Sequence, residues 1–100
     1  MKAEDSGLQT NGRVIITVLG SDRSGIVASV AGVLAKRDAN ILDISQTILQ
    51  GIFTMTMLVD LGEASVGFAD IQAEFARLSE ELGVQISMQR EAVFNYMYRL

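Results

Sequence analysis

An α+β domain of the ferredoxin-like kind, a four-stranded antiparallel sheet with two helices on one face, is what this sequence predicts. Three observations carry it. Four short runs read as strands, two longer segments place apolar residues at three-and-four spacing, and these pieces follow one another in the order βαββαβ. Right-handed crossovers then set both helices on one side of the sheet and leave the opposite face wet or paired.

The first strand spans Arg13 to Leu19. It is apolar on both faces through Val14, Ile16, Val18 and Ile15, Leu19, which suits an interior position. A helix follows from Ile26 to about Asp38, with Ile26, Val30, Val33 and Leu34 on one stripe and Ala28, Ala31, Gly32 and Ala35 keeping another side small. Lys36 and Arg37 near its end complement the helix dipole. Asn40 to Gln50 and Ile52 to Asp60 then read as antiparallel strands joined by a tight turn at Gln50-Gly51. In the second of them Phe53, Met55, Met57 and Val59 face the core, with Thr54 and Thr56 opposite.

Phe68, Ile71, Phe75, Leu78 and Leu82 recur at helical spacing and make the second helix the clearest amphipathic segment. Its polar side, with Arg77 and Glu81 spaced for an i,i+4 pair, reads as solvated surface. Gly83 supplies the stop, and Val84, Ile86 and Met88 alternate with Gln85, Ser87 and Gln89 as the fourth strand. The uncovered sheet face is expected to show Ile52, Thr54, Thr56 and Leu58 beside Gln85, Ser87 and Gln89. Residues 1–12 lack periodicity and read as a flexible tail, so residues 13–100 form the single domain, with a short terminal helix from about Glu91 that must dock to be stable.

Composition narrows the chemistry. The 100 residues contain no cysteine and no histidine, which removes thiolate nucleophiles, disulfides, the usual zinc ligands and the side chain best suited to proton transfer near neutral pH. The formal charge of −4, with basic residues scattered, disfavours a phosphate backbone as partner. Met1 to Gly12 has no apolar core like that of a signal peptide, and no apolar run approaches the length of a membrane span, so a cytoplasmic location without membrane contact is expected.

The stretch Gly20-Ser21-Asp22-Arg23-Ser24-Gly25 links the first strand to the first helix. A helix beginning there points unpaired N–H groups into the loop, where a carboxylate or phosphate is favoured. A purely structural alternative stands beside this: glycines for a tight turn, Ser24 as the helix cap, Asp22 as a solvated turn residue, and Asn40 as a left-handed helix terminator.

With these residues laid out, the chain resembles the ACT domain family, small ligand-binding regulatory modules, over about Arg13 to Gln89. The resemblance rests on Gly20-x-Asp22-x-x-Gly25, on Ile26-Val27, on Asn40-Ile41 and on Asp43-Ile44-Ser45-Gln46-Thr47 in the right element order. The run from Ile41 to Thr47, the Phe53-Thr54-Met55 segment and the tail Ala92 to Tyr98 look like small stand-alone ACT proteins, and more distantly like modules of the glycine-cleavage repressor and formyltetrahydrofolate deformylase. The resemblance implies a homodimer that holds an amino acid between two domains, with Gly20, Asp22, Arg23, Ser24, Gly25 and Ile26 on one side and Asn40 and Ile41 on the other. Some relatives carry His and Asn in this loop where Gly20 and Asp22 stand here, so the effector does not carry over. No metal or cofactor is expected, and the output passes to a separate enzyme or regulator.

Other classes fit less well. A dimerisation module without ligand remains an alternative. A small hydrolase is opposed because Ser24 has no His or Cys to activate it and the pattern around Arg23 does not match the acylphosphatase kind. RNA binding on the sheet lacks an aromatic platform.

Overall fold

A computed structural model describes residues 12–21, 25–62 and 67–92 of the chain. Strands β1 (Arg13–Ser21), β2 (Asn40–Leu49), β3 (Ile52–Asp60) and β4 (Gln85–Arg90) form one antiparallel sheet in the order β2-β3-β1-β4. Helices α1 (Ile26–Lys36) and α2 (Gly67–Leu82) connect them in the expected βαββαβ order. β1 lies inside the sheet because both of its faces are apolar enough to be covered by neighbours.

The core gathers one set of alternating residues from the sheet and one stripe from each helix. Val14, Ile16 and Val18 of β1 are fully buried, as are Met55, Met57 and Val59 of β3, and they meet Ile26, Val30 and Leu34 of α1 and Ile71 and Phe75 of α2. Methionines therefore act as core filling, as their unbranched shape suits. On the other face the paired register lines up Ser45, Thr56, Thr17 and Ser87 as a row of hydroxyls across all four strands.

The ends of the elements follow local backbone chemistry. Gln50 and Gly51 both take positive φ, 51° and 84°, the type I′ geometry that matches strand twist in a two-residue hairpin. α1 stops at Lys36 rather than near Asp38, because Asp38 adopts φ 58° and closes the helix: Ala39 N–H bonds the Leu34 carbonyl at 3.0 Å and Asp38 N–H the Ala35 carbonyl at 3.1 Å. The left-handed terminator is thus Asp38, and Asn40, the other candidate, belongs to the strand. Gly83, at φ 70°, ends α2 as its position suggests, with its N–H and that of Val84 both on the Ser79 carbonyl.

Gly12, assigned by sequence to the tail, is tied into the domain through its carbonyl, which accepts the Leu61 N–H at 2.7 Å. The rest of the expected tail lies outside the described residues. Glu91 and Ala92 turn helical directly after β4, and the remainder of the expected terminal helix also lies outside them. Glu91 meets Arg13 through two contacts of 3.1 Å, which join the start of β1 to the end of β4.

α2 is not simply a solvated surface on its polar side. Glu74 reaches Lys36 and Arg37 at the end of α1, each at 3.3 Å, and Arg77 turns to Glu74 at 3.8 Å rather than forming the expected pair with Glu81. The half-buried position of Glu74 between two helices outcompetes the i,i+4 geometry, since one carboxylate there satisfies several cations. The Lys36 hydrogen bond, and secondarily Arg37, hold its carboxyl below the ordinary value of 4.5. A carboxyl lowered by folding contributes stability above its unfolded value and loses it as pH falls through the folded one. Glu74→Gln is accordingly expected to melt below wild type at pH 7, with the gap closing as pH drops below 4.5; a gap unchanged at strongly acid pH would show that Glu74 acts by packing alone.

Candidate functional site

The sequence-predicted residues divide between the two ends of the sheet. β1 runs toward Ser21 and delivers Gly20 and the loop to one end, where α1 begins. The helix returns the chain to the other end, where Asn40 opens β2 opposite Asp60, itself opposite Arg13. Gly20 and Asn40 are therefore roughly 23 Å apart along the strand direction, at about 3.3 Å per residue. A single chain does not bring the two halves of the predicted site together.

At the loop end, Gly20 and Gly25 are glycines for different reasons. A Cβ on Gly20 would stand 2.6 Å from Val84 Cγ1 and 3.2 Å from Val84 Cα, so its absence lets β1 lie against the residue just before β4. Gly25 meets nothing within 4 Å among the described residues, yet its φ of 92° favours a residue without Cβ. It is the N-cap of α1, and its carbonyl accepts the Ser29 N–H at 2.9 Å. The cap is thus Gly25 and not Ser24. Having no side chain, Gly25 leaves the N–H groups of the first turn without a cap from its own residue.

Ile26 is fully buried, so its side chain belongs to the core and only its backbone faces the loop. Asp22, Arg23 and Ser24 lie outside the described residues. Asn40 and Ile41 are both exposed at the far end. Just beyond them β2 bulges between Ile41 and Asp43, and the Asp43 carboxylate accepts the Ile44 N–H at 2.8 Å. The bulge leaves Leu42 as the extra residue.

Two surface recesses have linings that include none of these residues. One of about 470 Å³ is lined by Thr17, Leu19, Ser79, Gln85, Ile86 and Ser87 beside β4. Another of about 180 Å³ lies between the helices beside Lys36, Glu74 and Arg77. Among the described residues no three acidic, histidine or cysteine side chains come close enough to hold a metal ion, and no helix is long and apolar enough to cross a membrane.

What the residue pattern did not reveal is the exposure of β2. All ten of its residues are exposed, Ile48 to 56% and Leu49 to 69%. Alternating apolar and polar residues would read the same in a covered strand, so the only signal available was the mixed composition of Asn40 to Leu49.

Comparison with known proteins agrees with this fold. The family model that matches residues 12–89 is that of the ACT domain. A UPF0237 protein of Methanocaldococcus jannaschii is 52% identical over 88 residues, covering 88% of this chain and 98% of that protein. An ACT domain protein from Streptococcus pneumoniae superposes with a TM-score of 0.73 at 43% identity, over 86% of this chain and 97% of that one. Formyltetrahydrofolate deformylase from Burkholderia mallei shares the fold over 79% of this chain and 28% of its own, with a TM-score of 0.70 at 15% identity.

The two glycines give separable expectations. Gly20→Ala should cost about 1–3 kcal/mol in denaturant unfolding, as overpacking does, and Val84→Ala in the same chain should return part of it. Gly25→Ala should cost about 1–2 kcal/mol from the left-handed backbone, with no rescue by Val84→Ala.

Proposed function

This chain is a member of the ACT domain family, and on that premise we propose that it is a non-catalytic regulatory module, a homodimer that binds an amino acid between subunits beside the β1–α1 loop. ACT domains are typically small-molecule regulatory modules. The observation that carries the proposal is the separation of the two half-sites: the loop with Gly20 and Gly25 stands at one end of the sheet and Asn40 with Ile41 at the other. Two half-sites at opposite ends of one subunit become one site when a second copy is turned end for end beside it.

In this arrangement the first-turn N–H groups of α1 receive the α-carboxylate, favoured by the helix dipole. Asp22 pairs with the ammonium and Arg23 and Ser24 border the pocket. Asn40 of the other subunit donates and accepts at the ligand's remaining polar atoms. Ligand then shifts the packing of the two subunits only by the difference in its affinity for the two arrangements. The signal passes to a separate enzyme or regulator. With no histidine or cysteine anywhere in the chain, Ser24 lacks the usual partners of an activated nucleophile.

A second proposal, favoured by the exposed apolar residues of β2, is a dimerisation module that needs no ligand. A thermal-unfolding screen of the common amino acids at millimolar concentration separates the two, run on wild type, Asp22→Ala and Asn40→Ala with subunit mass measured alongside. An effector at ~100-fold over its Kd adds about 2.7 kcal/mol, or roughly 10 °C or more for a domain of this size. One amino acid should give such a shift in wild type and lose it in both variants. A dimer that no amino acid stabilises would favour the ligand-free module.

A further inference from the structure

We infer that residues 93–100 of this chain fold back over the end of its own sheet that holds Arg13, and cover the face opposite the helices at Ile15 and Leu58. The inference depends on neither the ligand nor the homodimer proposed above.

Both described helices pack against one face of the sheet, through Val14, Ile16 and Val18 of β1 and Met55, Met57 and Val59 of β3. The other face carries Arg13, Ile15, Thr17 and Leu19 of β1, with no described helix upon it. Its two ends differ. At one end Leu19 is 41% exposed, and Gln85 and Ser87 are open on β4. Four residues earlier on the same interior strand Ile15 is half-buried, as are its partners across the ladder, Leu58 and Gln89. Arg13 and Glu91 continue this row at the end of the sheet. The Glu91 side chain is only 14% exposed, and neither Arg13 Nε nor Glu91 Oε1 touches solvent. An ion pair on a bare sheet face would stand in water. This end is therefore covered, and the described helices lie on the wrong side to cover it.

The chain supplies a cover of the right length in the right place. β4 ends at Arg90, whose guanidinium lies 4.4 Å from the centre of the Phe68 ring of α2, on the helix side. Glu91, the next residue, is turned to the opposite face and held there by its two contacts with Arg13. Glu91 and Ala92 are already helical, so residues 93–100 leave from the face in question. Eight residues of helix are about 12 Å long. Strands lie about 4.8 Å apart, so a helix crossing from β4 reaches β1 and β3 and stops short of β2. At helical spacing Val93, Met97 and Leu100 share one side with Phe94 and Tyr98, while Asn95 and Arg99 fall on the other. The stretch before Gly12 offers only Met1, Ala3 and Leu8. A helix this short is stable only when docked, and Ile15 with Leu58 is the apolar surface within its reach on this face.

The chain has no cysteine, so a single thiol reports whether its position is covered. Leu58→Cys is expected to react with a maleimide at least about 10-fold more slowly than Leu19→Cys, since thiol reactivity follows exposure. Adding Phe94→Ser and Met97→Ser should bring Leu58→Cys to within about 3-fold of Leu19→Cys, whose own rate stays unchanged. Cooperative unfolding checks that the sheet is intact, and Met97→Ser alone serves in the same comparison if the double substitution does not fold. Equal rates with the natural tail, or a slow Leu58→Cys that tail substitution does not speed, would overturn the inference. Refolding the substituted-tail Leu58→Cys chain together with an excess of wild type separates the chain's own segment from that of a second copy. A rate that stays fast supports cover within one chain; a rate that slows would move the cover to another copy and overturn it.

Discussion

Everything in this domain depends on burying β1 in the middle of the sheet. Its register is fixed on both sides at once, by nine residues of β3 and six of β4, and its three fully buried residues anchor both helices. A strand held this way cannot slip by one residue without turning Val14, Ile16 and Val18 to the other face. Because β2 reaches its place only by crossing over β3, the chain must leave β1 at one end of the sheet and begin β2 at the other. The division of the candidate site follows from that crossover and not from any property of the loop.

The same topology makes the two edges unequal. β4 is short, with Gln85, Ser87 and Gln89 on one face, while β2 is long and of mixed composition, with exposed apolar residues among its polar ones. The helices bury the side chains of β1 and β3 and leave Ile44 and Ile48 open on the same face. Water contact at these residues is a standing cost, and a second strand would remove it while satisfying the outward backbone groups. The exposed apolar residues of β2 and the separation of Gly20 from Asn40 both follow from this one strand order.

Much of the fold was legible because burial in a sheet imposes a period of two and burial on a helix a period near 3.6. Phe53, Met55, Met57 and Val59 face the core as their alternation requires, and Gln50-Gly51 makes the hairpin its composition suggests. Local competition was harder to read. Gly25 caps α1 where Ser24 looked suited to it, Asp38 terminates the helix where Asn40 was the candidate, and Arg77 prefers Glu74 to Glu81. Each of these turns on the local backbone angle or on which helix lies next door. Of the candidate site, Gly20 owes its identity at least in part to Val84, more than sixty residues later.

By itself the sequence determined the order of elements, the faces they bury, the membership in the ACT domain family and the absence of thiol and imidazole chemistry. These are properties of spacing and residue type, which are set along the chain. Only the tertiary structure decided that β2 is the exposed edge, that Glu74 bridges the two helices, and that the loop and Asn40 stand at opposite ends. Those depend on which strand lies beside which, and neighbours in space are chosen by the closing of the whole sheet rather than by any stretch of it.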